Sequence, residues 1–336
     1  MKDIVIYTDI NPGRNYSISP SGLLEWIINF LNKKGYQYKI IDKLENLNKL
    51  HNKLIIIYPS HKIKELKEKF LLNNKIFLLG PDSNSVEAYS LAKDKLPILK
   101  LKIFKKIFIF CLIRYLDKHN LVKMGNTIVF GEEDYRYLKK IKSKTFFLPH
   151  PFLSSLNIKQ PLSTKTPIDA IVLIGKLRGM PVGFKKIETI IEKYLLPIIE
   201  NLNLRLYLFE STGLLLEKFQ NHKNISIIKR NHELEIDFFQ SKIMVNMSTC
   251  GAGTANRSLS SLHDGAFLFT TIFGARNISK SIFKEQLYIS KYSPNSKLFF
   301  QDLENFMKKI KFADNRSQII NQNKISEDIF DKILKS

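Results

Sequence analysis

Short apolar runs alternate with stretches of helical period along the whole chain. Ile4-Val5-Ile6-Tyr7 is the first run, and Leu54-Ile55-Ile56-Ile57-Tyr58 and Lys75-Ile76-Phe77-Leu78-Leu79 are others of the same kind. Such runs, too short for helices and apolar at every position, predict strands buried on both faces of a parallel sheet. Between them, Leu23, Leu24, Trp26, Ile27, Ile28, Phe30 and Leu31 recur at helical spacing. Ser19-Pro20-Ser21 supplies a start signal for that helix, and Lys33-Lys34-Gly35 a cationic, glycine-terminated end. A strand over 36–41 follows. After a long basic and apolar stretch at 98–118, predicted as helix, come a strand at 126–130, a helix carrying Tyr135, Leu138 and Ile141, and a strand at 145–148.

Residues 153–167 lose the periodic pattern and read as a linker. The pattern restarts with Ala170-Ile171-Val172-Leu173-Ile174. Strands are predicted near 204–209, 225–228, 243–246, 266–271 and 287–289, and helices over 184–200, 232–241, 255–264, 299–311 and 325–335. No repeat of fixed period interrupts the series. The expectation is an α/β chain of two Rossmann-like domains facing across a cleft: 1–152, then the linker 153–167, then 168–324, with 325–336 as a terminal helix returning toward the first domain. Ligands of such folds sit beyond the carboxyl ends of the strands.

Charge adds a second layer. The 336 residues hold 53 Lys and Arg against 31 Asp and Glu, a net charge of +22. An anionic partner follows: nucleic acid, a phospholipid surface or a phosphorylated substrate. The excess is spread, with +13 in residues 1–150 and +9 in 151–336, and +7 of it concentrates in 93–123. There Lys100, Lys102, Lys105, Lys106, Arg114 and Lys118 interleave with Phe104, Ile107, Phe108, Phe110 and Leu112. That mixture suits an anionic membrane surface better than a duplex groove; its ordinary alternative is a core helix with one basic outer face. Two cysteines, Cys111 and Cys250, make no disulfide framework and point to a reducing compartment. No signal peptide or run of membrane-spanning length is visible. The location expected is cytoplasmic, with docking on the inner face of the membrane through 98–118.

Two loops carry candidate chemistry. Gly175, Lys176, Arg178, Gly179, Gly183, Lys185 and Lys186 follow a strand and open a helix. Glycines let backbone approach a phosphate, and the cations and helix N-terminus neutralise it. Ser248 to Arg257, with Gly251, Gly253 and Thr254, is a second small-residue loop between strand and helix, suited to cradling a diphosphate. Either loop is equally a solvated turn, since neither spacing is a P-loop or dinucleotide fingerprint. Asp9, after the first strand, and Asp82, after the fourth, are strand-end carboxylates; caps and turns are their ordinary roles. The histidines are dispersed, and only His150, between Pro149 and Pro151, has an unusual setting. No spacing indicates a metal site.

The segment from Lys100 through Phe152 resembles the helix, strand, helix, strand series of GT-B glycosyltransferases, ending in their interdomain turn, here Leu148-Pro149-His150-Pro151-Phe152. Ile171 to Gly175 resembles their strand and donor loop, and Leu204 to Phe209 the strand before their nucleotide base site. Gly251 to Thr271 resembles the donor glycine loop, helix and strand of the family-4 enzymes, with Arg257 to Thr271 nearest the spore-maturation-type subgroup. The resemblance implies a hexosyltransferase-like enzyme that moves sugar from a UDP- or GDP-type donor to a saccharide or glycolipid acceptor, as in surface polysaccharide synthesis. It places Arg178 and Lys185 or Lys186 roughly where such enzymes keep diphosphate-binding cations. Retaining members carry two glutamates eight positions apart, and this chain has Ala252 and Ser260 there. Retention and inversion both stay open.

On this reading the leaving diphosphate, unaided by metal or resident cofactor, is met by Gly175, Arg178, Lys185, Lys186, Gly251, Gly253, Thr254 and Arg257, with Asp9 or Asp82 as general base or acceptor binder. Two rivals stand beside it: a phage-type DNA-modifying glycosyltransferase, motivated by the charge, and a sugar- or nucleotide-binding module that lost catalysis, motivated by the missing glutamates.

Overall fold

The computed structural model describes residues 3–10, 20–47, 49–58, 66, 68–80, 111, 126–141, 144–151, 168–174, 184–209, 218–228, 242–248, 255–263, 265–310 and 316–336. Two compact units emerge. One takes Met1–Asn157 with Ala252–Thr254 and Ser317–Ser336, and the other takes Ile158–Gly251 with Ala255–Arg316.

The first unit runs β1 (Ile4–Tyr7), α1 (Pro20–Lys33), β2 (Tyr38–Ile41), α2 (Leu44–Leu47), β3 (Leu54–Ile57), α3 (Glu68–Asn73), β4 (Lys75–Leu79), β5 (Asn126–Val129), α4 (Glu132–Ile141) and β6 (Thr145–Phe147). All strand pairs are parallel, in the order β2-β1-β3-β4-β5-β6. The continuous apolar runs serve both faces. Ile4, Ile6, Leu54, Ile56, Phe77 and Leu79 pack with α1 on one side, while Val5, Tyr7, Ile55, Ile57, Ile76 and Leu78 pack with Leu47 and Phe70 on the other. The side-chain period of two makes this division inevitable once the sheet is covered on both faces. Gly80, at φ +60, ends β4 in a conformation that disfavours a side chain, and a Cβ there would lie 3.0 Å from the Phe130 ring.

The same unit is completed by a helix from the far end of the chain, Arg316–Lys335. Phe330 is fully buried, with ring centroids 5.4 Å from Trp26 and 5.1 Å from Phe30. Tyr36 donates its hydroxyl to Asp331 at 2.7 Å, and Lys33 pairs with Glu327 at 2.6 Å. The helix starts nine residues before the 325 expected from sequence. Its inward face reads Ile319, Asn323, Ser326, Phe330, Ile333, so two buried positions are polar and hide the apolar period.

The second unit runs β7 (Ala170–Ile174), α5 (Phe184–Ile190), a π-helical turn (Ile191–Leu195), α6 (Leu196–Asn201), β8 (Arg205–Phe209), β9 (Ile225–Ile228), β10 (Lys242–Asn246), α7 (Asn256–His263), β11 (Phe267–Thr270), β12 (Leu287–Ile289) and α8 (Lys297–Lys309). The Arg316–Lys335 helix is α9. The strands are all parallel, in the order β12-β11-β10-β7-β8-β9. The single helix expected over 184–200 is instead broken by the π turn, where the Leu196 amide reaches back to the Ile191 carbonyl. Pro197 has no amide hydrogen and its ring would crowd the carbonyl four residues back, which a widened turn relieves. Ile191 and Leu195 remain buried in the core, and Tyr194 stacks on Phe300 at 4.9 Å.

Among the described residues no helix is long and apolar enough to cross a membrane. Of the basic stretch 98–118 only Cys111, helical and exposed, is described; the rest lies outside the described residues.

Candidate functional site

Strand order locates the place where each sheet can hold a ligand. In the second unit β7 is flanked by β8 on one side and β10 on the other, so the winding reverses between β7 and β10. Loops leaving the carboxyl ends of two such strands diverge to opposite faces and leave a crevice between them. Those two loops are 175–183, leading into α5, and 247–255, leading into α7, the same two that their small residues and cations single out in the sequence. The corresponding reversal in the first unit lies between β1 and β3, where Thr8, Asp9 and Ile10 leave β1.

The carboxyl edge of the second sheet is built from side chains that read as ordinary in the sequence. Ile174, Asn246, Thr270 and Ile289 are in register across four strands. Asn246 and Thr270 are buried, and burial obliges their polar atoms to pair. Asn246 Nδ2 donates to Ser258 Oγ on α7 at 2.8 Å, while its Oδ1 accepts from the Ser248 amide at 3.0 Å and the Ser248 hydroxyl at 2.7 Å. Thr270 Oγ1 donates to the Asn246 carbonyl at 2.8 Å. Thr271 Oγ1 donates to the Ser248 carbonyl and accepts from the Gly274 amide at 3.1 Å. Gly274 presses against this cluster: a Cβ there would collide with Thr270 Oγ1 and lie 2.9 Å from Asn246 Cγ. One strand further, Asp302 on α8 accepts from Tyr288 OH and Ser290 Oγ, each at 2.7 Å, and ties the end of β12 down. That bond, with burial adding to it, pushes the Tyr288 phenol up to about 12.

None of Asn246, Ser258, Thr270, Thr271 or Gly274 was singled out by sequence reasoning. The available signal was the abrupt change from apolar to polar at two strand ends, Val245 to Asn246 and Phe269 to Thr270.

Of the residues the sequence does single out, Asp9 stands exposed beyond the end of β1, next to buried Thr8, whose Oγ1 accepts from the Ile10 amide at 3.1 Å. Lys185 and Lys186 have their backbone in the first turn of α5, and Arg257 is the second residue of α7; their side chains lie outside the described residues. Asp82, Gly175, Arg178, Gly251, Gly253 and Thr254 also lie outside the described residues, as does Ala252. Ser260, at one of the two glutamate positions of the resemblance, is half-buried on α7. No group of three or more His, Cys, Asp or Glu side chains able to hold a metal occurs among the described residues.

His150 belongs to the first unit. It follows β6, its Nδ1 is 2.9 Å from the Pro151 carbonyl, and its ring lies 5.1 Å from that of Phe130. Burial pushes the imidazole down to about 4, and the bond to Pro151 only partly offsets it. A histidine this buried and neutral is a structural member of the turn.

No known family and no curated protein matches the sequence. Solved structures do. Staphylococcus aureus TarM, in a complex with fondaparinux, α-GlcNAc-glycerol and UDP, matches over 87% of this chain with a TM-score of 0.56 at 12% identity. This chain spans only 58% of that protein's length. An Escherichia coli protein described as trehalose-6-phosphate bound with UDP-2-fluoro glucose matches over 99% of both chains, with a TM-score of 0.58 at 11% identity. Methanocaldococcus jannaschii UDP-GlcNAc 2-epimerase matches over 100% of both, with a TM-score of 0.53 at 19% identity. Two parallel, helix-covered six-stranded sheets of this order, and these likenesses, define the GT-B fold, an α/β architecture of two Rossmann-like domains. That is the fold of this chain.

Proposed function

We propose that this chain is a nucleotide-sugar glycosyltransferase. The observation that carries the reading is the switch point between β7 and β10. It brings the two phosphate-suited loops to one carboxyl edge of a GT-B domain. Three solved structures of similar fold are described with UDP, UDP-2-fluoro glucose, or UDP and glucose, which makes a uridine diphosphate sugar the first donor to test.

In the proposed mechanism the donor diphosphate lies over the second unit. Amides of Gly175, Gly251, Gly253 and Thr254 and the helix N-termini of α5 and α7 face its oxygens. Arg178, Lys185, Lys186 and Arg257 meet the charge that grows as the anomeric carbon–oxygen bond breaks, without a metal. A saccharide or glycolipid hydroxyl supplies the new bond, and Asp9 or Asp82 takes its proton. The basic stretch 98–118 would hold the protein on an anionic membrane surface where a lipid-linked acceptor is found. Purified protein should release UDP from at least one sugar of a UDP- and GDP-sugar panel, and faster with the correct acceptor; no release with any donor contradicts the reading.

Epimerisation is a second reading, favoured by the end-to-end match with a UDP-GlcNAc 2-epimerase. The same assay separates the two, since an epimerase converts the donor sugar without needing an acceptor. The charge-motivated DNA acceptor enters as one arm of the acceptor screen, and binding of nucleotide without turnover would select the degenerate module.

A further inference from the structure

The loop between β10 and α7 is fastened at both ends by one short segment of the chain. At its start, the Ser248 carbonyl accepts from Thr271 Oγ1. At its end, the Ala255 amide donates to the Arg276 carbonyl at 3.2 Å. Between these anchors Thr271 Oγ1 also accepts from the Gly274 amide, so the segment Thr271–Arg276 is bonded to itself as well as to the loop. Asn246 completes the frame by holding Ser248 through Oδ1 and Ser258 of α7 through Nδ2. Gly274 closes it from above. Its contact with Thr270 and Asn246 leaves no room for a single methyl group, so the frame fits only with glycine there.

A loop rich in glycine pays a large entropic cost to hold one conformation. Backbone amides that must point at a diphosphate gain little from glycine's freedom unless something outside the loop fixes its ends. We propose that Thr271–Arg276 is that fixture, a brace that holds Ser248 and Ala255, the two ends of the loop between β10 and α7, in place. Thr271 and Gly274 are then positioning residues for donor binding, acting through the loop and touching no ligand themselves. The brace stands on the geometry alone; its role in donor binding rests on the glycosyltransferase reading above.

The test uses the whole chain and three variants. Thr271→Val keeps the shape and removes the hydroxyl, Thr271→Ser keeps the hydroxyl, and Gly274→Ala forces the frame apart. Hydrogen exchange should quicken in peptides covering 247–258 for Thr271→Val and Gly274→Ala, and stay unchanged over β1 and β3. Unchanged exchange at 247–258 overturns the brace. Titration with UDP should show about tenfold weaker binding for Thr271→Val, with Thr271→Ser close to wild type. Equal affinity in all four proteins overturns the positioning role. A wild-type chain that binds no UDP, nor any other nucleoside diphosphate, contradicts the donor reading and the positioning role together. The exchange result still decides the brace in that case.

Discussion

Gln322 donates its side-chain amide to the His150 carbonyl at 2.8 Å, joining residues 172 positions apart in the chain. One turn later on α9, Ser326 donates to the Pro149 carbonyl, also at 2.8 Å. Pro149-His150-Pro151 has one backbone amide where other tripeptides have three, so its carbonyls need partners from elsewhere. Half-buried Gln322 and buried Ser326 of α9 supply them. Ser326→Ala strips the half-buried Pro149 carbonyl of a donor and should cost about 0.5–1.5 kcal/mol. Trp26 is the only tryptophan and packs on α9's Phe330, so its fluorescence during urea unfolding reports this unit directly. Loss of stability smaller than a few tenths of a kcal/mol would show the bond to be idle.

Acid sensitivity should centre on His150. The folded protein takes up its imidazole proton near pH 4 and the unfolded chain near the ordinary 6.5. Between those values the unfolded state binds more protons, so stability is complete above about 6.5 and falls as the pH drops toward 4. The full loss is on the order of 3 kcal/mol. Urea midpoints followed by Trp26 fluorescence should decline across that window, and His150→Gln should flatten the decline. An equal slope in the variant would assign the acid sensitivity to other groups.

Phe330 should be the largest single contributor from α9. It is fully buried between Trp26 and Phe30. Phe330→Ala opens a cavity in a close-packed core and should cost about 3–5 kcal/mol, enough to lower the melting temperature of the first unit markedly. The second unit should be unaffected, as read by hydrogen exchange over β7 and β10. A comparable loss in both units would contradict the assignment of α9 to the first.

Alkaline titration should reveal the Asp302 clamp. Tyr288 keeps its proton to about pH 12 in the folded protein, against 10 when unfolded. The stabilisation is complete below about pH 10 and is lost as the pH climbs toward 12. Asp302→Ala removes the acceptor of both Tyr288 and Ser290, and one tyrosine should then ionise closer to pH 10 by ultraviolet absorbance. An unshifted titration would show that the bond does not govern the phenol.

The sheets were legible because parallel strands buried on both faces need no partner information: Ile4–Tyr7, Leu54–Ile57 and Ala170–Ile174 are apolar at every position. The two loops at the β7–β10 switch were legible as loops, from their glycines and the polar residues around them. Strand order was not, because it depends on which faces the crossover segments cover. The frame around Asn246 escaped for a different reason. Asn, Thr and Ser at strand ends are common turn residues, and only burial turns them into a bonded cluster. Gly274 carries no pattern at all, since its requirement is a close approach by Thr270 and Asn246 that no local spacing encodes. The start of α9 was missed because Asn323 and Ser326 are buried polar positions on its inward face, Ser326 bonding the proline-flanked turn, and together they break the apolar period that marks a helix face.

The central claim is that the second unit holds a nucleoside diphosphate at the ends of β7 and β10. Calorimetric titration of the wild-type chain, Arg178→Ala and Lys186→Ala with UDP and GDP tests it most directly. The expected result is saturable one-site binding of one nucleotide by the wild type, weakened about tenfold or more in each variant, as the loss of a charged hydrogen bond requires. No binding of either nucleotide, or binding that both variants leave unchanged, would contradict it.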